Sequence, residues 1–110
     1  CRLLAELPGE QLAELARRMR REEVPAGATP VVEGEPGERF YVVLSGVLAV
    51  TQDRGMGPRR ILRPGDSFGE VALALGVPRT ASVHALTPSV VASCDAVTFE
   101  ALLRPLFADP

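Results

Sequence analysis

The stretch 64-PGDSFGEVALALGVPRTASV-83 concentrates the chemistry of this chain. Pro64-Gly65-Asp66 is a turn signal, and Gly69 opens Glu70–Leu75, a run of good helix formers that Gly76 and Pro78 stop. A helix of about one or two turns cannot bury a core face of its own. Its use lies at its N-terminus, where unpaired backbone N–H groups and the positive end of the dipole favour an anion. Gly69 has no Cβ and lets a ligand approach the main chain. Beyond the helix, Arg79 offers a planar fork of donors suited to phosphate oxygens, and Glu70 offers an acceptor suited to a sugar hydroxyl. A ligand with a phosphate fused to a ribose satisfies both. Taken singly, Arg79 reads as a surface arginine, and Glu70 as its ion-pair partner or as a first-turn acid favoured by the dipole. The joint pattern of glycine, acid, helix and arginine in a β-rich frame favours the ligand.

Outward from this stretch the chain alternates short β-type runs with turns. Val24, Thr29–Val32, Phe40–Leu44 and Arg60-Ile61-Leu62 lie upstream, and Ala81–Ala85 and Val90–Ser93 downstream. Ser45-Gly46 between FYVVL and VLAVT reads as a hairpin, Asp53-Arg54-Gly55 returns the chain, and Thr87-Pro88-Ser89 makes a further turn. Strands at intervals of roughly ten residues imply a sandwich or a roll. Gly27, Gly34, Gly37 and Gly46 read as scaffold that permits a positive φ or a tight turn.

Helices flank this region. Leu3, Leu4 and Leu7 suggest a helical fragment, and after Pro8-Gly9 the residues Leu12, Leu15, Ala16 and Met19 recur at helical spacing, predicting an amphipathic helix over Glu10–Arg21. The run Arg17-Arg18-Met19-Arg20-Arg21 suggests a nucleic-acid or acidic-partner patch in one reading; the plainer and preferred reading is a cationic last turn that complements the dipole. Asp95 is a candidate N-cap for a terminal helix through Phe99, Leu102 and Leu103, with Pro105 as a stop.

Length and composition bound the function. The 110 residues fit one domain, with 46% hydrophobic and 24% charged residues. No apolar run approaches the roughly 20 residues of a membrane helix. A net charge of −2 argues against a broad nucleic-acid-binding surface. Cys1 and Cys94 form no disulfide or zinc pattern, which fits a reducing compartment and a cytoplasmic setting. All twelve basic residues are arginine, and there is no lysine or asparagine, a bias associated with a GC-rich, bacterial genome. The start at Cys1, without an initiator methionine or a signal peptide, is expected of a piece of a longer multidomain protein. His84 is the single histidine and reads as an ordinary strand residue, since a metal site needs several clustered ligands. No cysteine or serine has the partners of a nucleophile. No catalytic, metal or cofactor site is expected, and the chain is not expected to be an enzyme.

The stretch 68-FGEVALALGVPRTASV-83 resembles the phosphate-binding cassette of the cyclic nucleotide-binding domain family, known from catabolite activators and protein kinase A regulatory subunits. The Phe68-Gly69-Glu70 triplet, the Ala72-Leu73 that follows, Pro78 directly before Arg79, and the small-residue strand start Thr80-Ala81-Ser82-Val83 carry the likeness. It extends through 24-VPAGATPVVEGEPGERFYVVLSGVLAV-50. The resemblance implies a mainly β fold: an antiparallel, jelly-roll-like β-roll with N-terminal helices, a short cassette helix and a C-terminal helix. It implies a regulatory module that binds cyclic AMP or cyclic GMP through Phe68, Gly69, Glu70, Val71, Ala72, Arg79, Thr80 and Ala81. In that scheme Glu70 meets the ribose 2′-hydroxyl, Arg79 meets the cyclic phosphate, and the amides of Gly69, Ala72 and Thr80 complete the cradle. Thr80 leaves the base open, with cyclic AMP slightly favoured.

Family members usually continue into a helix that closes over the purine. This chain stops at Pro110, so that lid is expected from other sequence or is missing. The implied partner is an effector domain in the same or an associated chain, reached through the terminal helix. A transcription factor would need a helix-turn-helix after Pro110, and this fragment is expected to bind no nucleic acid. The alternative is a degenerate β-roll that packs or dimerises without a ligand.

Overall fold

The computed structural model describes residues 9–52 and 60–104. The expected fragment at Leu3–Leu7, the turn at Asp53-Arg54-Gly55 and the stop at Pro105 lie outside the described residues. Helix α1 (Gly9–Arg18) ends three residues before the predicted boundary. Arg20–Val24 instead form strand β1, paired antiparallel along its length with β7 (Ser89–Asp95), from Arg20 opposite Ser93 to Val24 opposite Ser89. Arginine and glutamate favour a helix, but sheet pairing overrides that local preference. In the last turn of α1, Arg17 and Arg18 both pair with Glu14, with Arg18 Nε 2.6 Å from the carboxylate, so part of the basic run is neutralised within the helix.

The remaining elements are β2 (Arg39–Ser45), β3 (Leu48–Thr51), β4 (Arg60–Leu62), β5 (Ser67–Phe68), α2 (Glu70–Leu75) and β6 (Ser82–Ala85). After β7 come a turn of α-helix, α3 (Ala96–Thr98), and a π-helical turn, Phe99–Leu103. Two antiparallel sheets result, one ordered β1-β7-β2-β5 and the other β4-β3-β6. The Thr29–Val32 run is not a full strand. Only Val31 bridges to Val83, beside Pro30, which has no N–H for a ladder.

The spacing at Ser45-Gly46 predicts a hairpin, yet β2 and β3 belong to different sheets. The register of β2 slips between Val43 and Ser45, and Gly46 (φ 88°) then turns the chain through a corner. The β6–β7 connection forms a second corner beside it, where Val47 N donates to Thr87 Oγ1 (3.0 Å) and Leu86 N to Val47 O (2.9 Å). A Cβ at Gly46 would lie 2.7 Å from Pro88 O, so glycine is required there for space as well as for φ.

Among the described residues two apolar clusters hold the fold. One fills the roll and includes Val43, Leu48, Leu62, Phe68, Val83 and Val91. The other lies between the first sheet and the helices, and joins Leu15, Phe40, Val42, Cys94, Phe99 and Leu103. Asp95 caps α3 as expected, accepting from Thr98 N at 2.8 Å. The apolar positions 99, 102 and 103 fit an α- or a π-turn equally, so sequence spacing does not distinguish them.

Candidate functional site

The loop before α2 is fixed by its turn chemistry. Asp66 accepts from Arg63 N through its side chain (2.8 Å), while Val43 N donates to Asp66 O (2.8 Å) and Gly65 N to Val43 O (2.9 Å), pinning the turn to β2. Strand β5 then pairs with β2, and Phe68 stacks on Tyr41 with ring centroids 4.8 Å apart. Gly69 (φ 96°) caps α2 without a side-chain hydrogen bond, so the first-turn amides have no side-chain cap. Its missing Cβ serves the protein's own packing: a Cβ would stand 2.9 Å from Arg39 O and 3.0 Å from Arg79 Nη1. Gly76 (φ 66°) closes the helix, donating to Ala72 O.

Arg79 is 8% exposed, which excludes the surface-arginine reading. Its Nη1 donates to Gly69 O (3.0 Å) and its Nη2 to Arg39 O (2.9 Å), while its guanidinium carbon lies 6.0 Å from the centroid of the Tyr41 ring. Its backbone is also held, with Arg79 N donating to Glu35 O and Gly34 N to Arg79 O, each at 2.8 Å. Both side-chain bonds go to carbonyls, and among the described residues no ion pair joins Arg79 to Glu70. Burial pulls the guanidinium's pKa below its ordinary value, opposed by the nearby Tyr41, Glu70 and Glu38. A buried cation whose side-chain acceptors among the described residues are two neutral carbonyls is complementary to an anion.

Gly37 proves to be more than turn scaffold. Its φ is not positive, but a Cβ there would lie 2.9 Å from both Cζ and Nε of Arg79 and would collide with the Ala72 side chain. Gly37 therefore allows its loop to back Arg79 closely.

A cavity of about 310 Å³ opens beside these groups, and all the expected ligand residues, Phe68 to Ala72 and Arg79 to Ala81, line it. That volume is at the lower end of the roughly 300–1,000 Å³ of small-molecule sites. Val31, Val50, Gln52, Arg60 and Val83 complete the wall and were not among the sequence-derived candidates. The valines belong to β-type runs, but nothing local in the sequence marks Gln52 or Arg60. Gln52 Nε2 donates to Thr80 O (3.0 Å), which fixes the chain just after Arg79. His84 stands apart, with Thr29 Oγ1 2.9 Å from its Nδ1 and Thr51 Oγ1 3.1 Å from its Nε2.

A family model described as the cyclic nucleotide-binding domain matches residues 21–105. The chain belongs to the cyclic nucleotide-binding domain family. It is 36% identical over 104 residues to the cAMP-dependent protein kinase regulatory subunit of Aspergillus niger, covering 94% of this chain and 25% of that protein. The chain therefore spans about a quarter of the length of that relative. Among solved structures, the regulatory domain of Toxoplasma gondii protein kinase A in co-crystal with cAMP matches with a TM-score of 0.85 at 28% identity, covering 94% of this chain and 41% of that one. The regulatory subunit of a cAMP-independent protein kinase A from Trypanosoma brucei matches with a TM-score of 0.89 at 27% identity, over 96% of this chain and 38% of that one. The two-sheet architecture is the β-roll of this family, and the family is a regulatory, non-catalytic one. The bacterial origin suggested by the arginine-only composition finds no support in the curated relatives, which include fungal regulatory subunits.

Proposed function

We propose that this domain binds a cyclic nucleotide in the cavity beside α2, cyclic AMP in preference to cyclic GMP, and relays occupancy to an effector. The burial of Arg79 against neutral carbonyls alone carries this reading. A cyclic phosphate entering the cavity brings a negative charge to the guanidinium and receives charged and backbone donors in place of its hydration. Glu70 lines the same cavity and accepts from the ribose 2′-hydroxyl; the amides of Gly69, Ala72 and Thr80 complete the cradle, with Phe68, Val71 and Ala81 in contact around it. Cyclic AMP is preferred on the strength of the relatives' names. The effector would be a kinase catalytic subunit or a domain of the same chain, in the cytoplasm, as the names of the regulatory-subunit relatives suggest. The relay would run through α3 and the π-turn, whose Phe99 and Leu103 pack on the far side of β2.

A second reading, a roll that packs or dimerises without a ligand, is favoured by the likeness to a protein described as cAMP-independent. Thermal shift separates the two. Cyclic AMP at 100 times its Kd should stabilise the domain by about 2.7 kcal/mol, cyclic GMP by less and linear AMP least. No shift with either cyclic nucleotide at millimolar concentration would leave the packing module. Glu70→Ala should cost about 1.5–3 kcal/mol in cyclic AMP binding and narrow the gap to the 2′-deoxy analogue. An unchanged ratio between the two ligands would remove Glu70 from the ribose.

A further inference from the structure

A polar network joins β1, β7 and β2 of the first sheet. Arg39 opens β2; its Nε donates to Ser93 Oγ (2.9 Å) and its Nη2 to Ser93 O (3.2 Å). Ser93 is fully buried, and its hydroxyl donates in turn to Glu22 on β1. Glu22 Oε2 also lies 3.9 Å from Arg39 Nε and 3.2 Å from Arg20 Nη2. The Ser93 hydroxyl thus uses both its donor and its acceptor capacity. The first residue of a strand is where pairing ordinarily frays. Here side chains pin that residue across β7, and its own carbonyl is the acceptor for Arg79 Nη2 (2.9 Å).

We propose that Ser93 and Glu22, acting through Arg39, are positioning residues for Arg79: they hold the carbonyl that, with Gly69 O, fixes the plane of the guanidinium. The inference rests on the assignment of Arg79 to the cyclic phosphate. A guanidinium keeps one orientation only while its acceptors keep theirs. If they loosen, the fork must be ordered when the ligand binds, and affinity falls. None of Glu22, Ser93 and Arg39 lines the cavity, so any effect on affinity is indirect. Since the Arg39 carbonyl also abuts Gly69, the Arg79→Ala background separates a route through Arg79 from one through Gly69.

Calorimetric titration with cyclic AMP tests this in Ser93→Ala and Arg39→Met, each made with Arg79 present and in an Arg79→Ala background. With Arg79 present each variant should bind about tenfold more weakly, and in the Arg79→Ala background neither should change affinity by more than about twofold. Arg39→Lys, which still offers a donor to Ser93, should recover part of the loss. Equal losses in both backgrounds would mean a general structural role and overturn the proposal, as would affinities unchanged in either variant. Side-chain NMR of the ligand-free protein supplies a readout independent of nucleotide binding. Rotation about the Arg79 Nε–Cζ bond should be slow in the wild type and faster in both variants. If the wild type binds no cyclic nucleotide, the site assignment fails by itself, and unchanged Arg79 rotation in both variants overturns the network separately.

Discussion

The two faces of β2 carry different work. Phe40 and Val42 face the helices, where they join Leu15, Cys94, Phe99 and Leu103 in hydrocarbon, with the Phe40 and Phe99 ring centroids 5.4 Å apart. Arg39, Tyr41 and Val43 face the roll, where the apolar core gives way to a buried guanidinium, a stacked phenol and an open cavity. Neighbours in sequence thus face the helix-side core and the cavity side in turn, because side chains alternate across a strand. Truncations on the helix side should act mainly on folding, reaching affinity only through the proposed relay in α3 and the π-turn, and substitutions on the roll side should act mainly on affinity.

Leu15→Ala probes the helix side with the largest effect. The side chain is 1% exposed, and its truncation should cost about 2–5 kcal/mol of stability by denaturant unfolding. The Kd for cyclic AMP of the folded fraction should stay within about twofold, since Leu15 belongs to α1 and not to the α3 and π-turn segment proposed as the relay. A tenfold change in Kd would erase the division between the faces.

Gly37→Ala probes the roll side. The added methyl group reaches Arg79 and Ala72, so cyclic AMP binding should weaken by about 1–3 kcal/mol, the scale of overpacking, with a smaller loss of stability. Full affinity in calorimetry would show that the loop gives way without moving Arg79.

The smallest effect concerns Cys94 in the helix-side cluster, whose thiol burial pushes up to about 11. The unfolded thiol ionises first as pH rises, so its contribution to stability is complete below the ordinary thiol pKa and lost as pH climbs from there through 11. At pH 8 a thiol reagent should modify Cys94 only on unfolding, followed by mass spectrometry of its peptide. Rapid modification of the native protein would contradict that burial.

The cassette was legible in sequence because its chemistry is local. Gly69, Gly76 and Asp66 each have a turn or cap requirement that names the residue type, and the expected contacts from Phe68 to Ala81 line one cavity. What depends on distant parts of the chain was not legible. Ser45-Gly46 has hairpin spacing, but whether β3 pairs with β2 or crosses to another sheet is decided by partners dozens of residues away. The helix-forming Arg20–Glu23 became strand because β7 lay beside it. Gln52 and Arg60 reach the cavity only through the register of β3 and β4, and Gly37 is required by an arginine 42 positions later.

The Arg79 guanidinium, buried, held by two carbonyls and in no ion pair among the described residues, is the group proposed to meet the cyclic phosphate. Calorimetric titration of the wild type and of a folded Arg79→Ala variant with cyclic AMP measures that contact. Removing one partner of a buried charge pair predicts a loss of about 2–5 kcal/mol in binding. Equal affinities in the two proteins would remove Arg79 from the site.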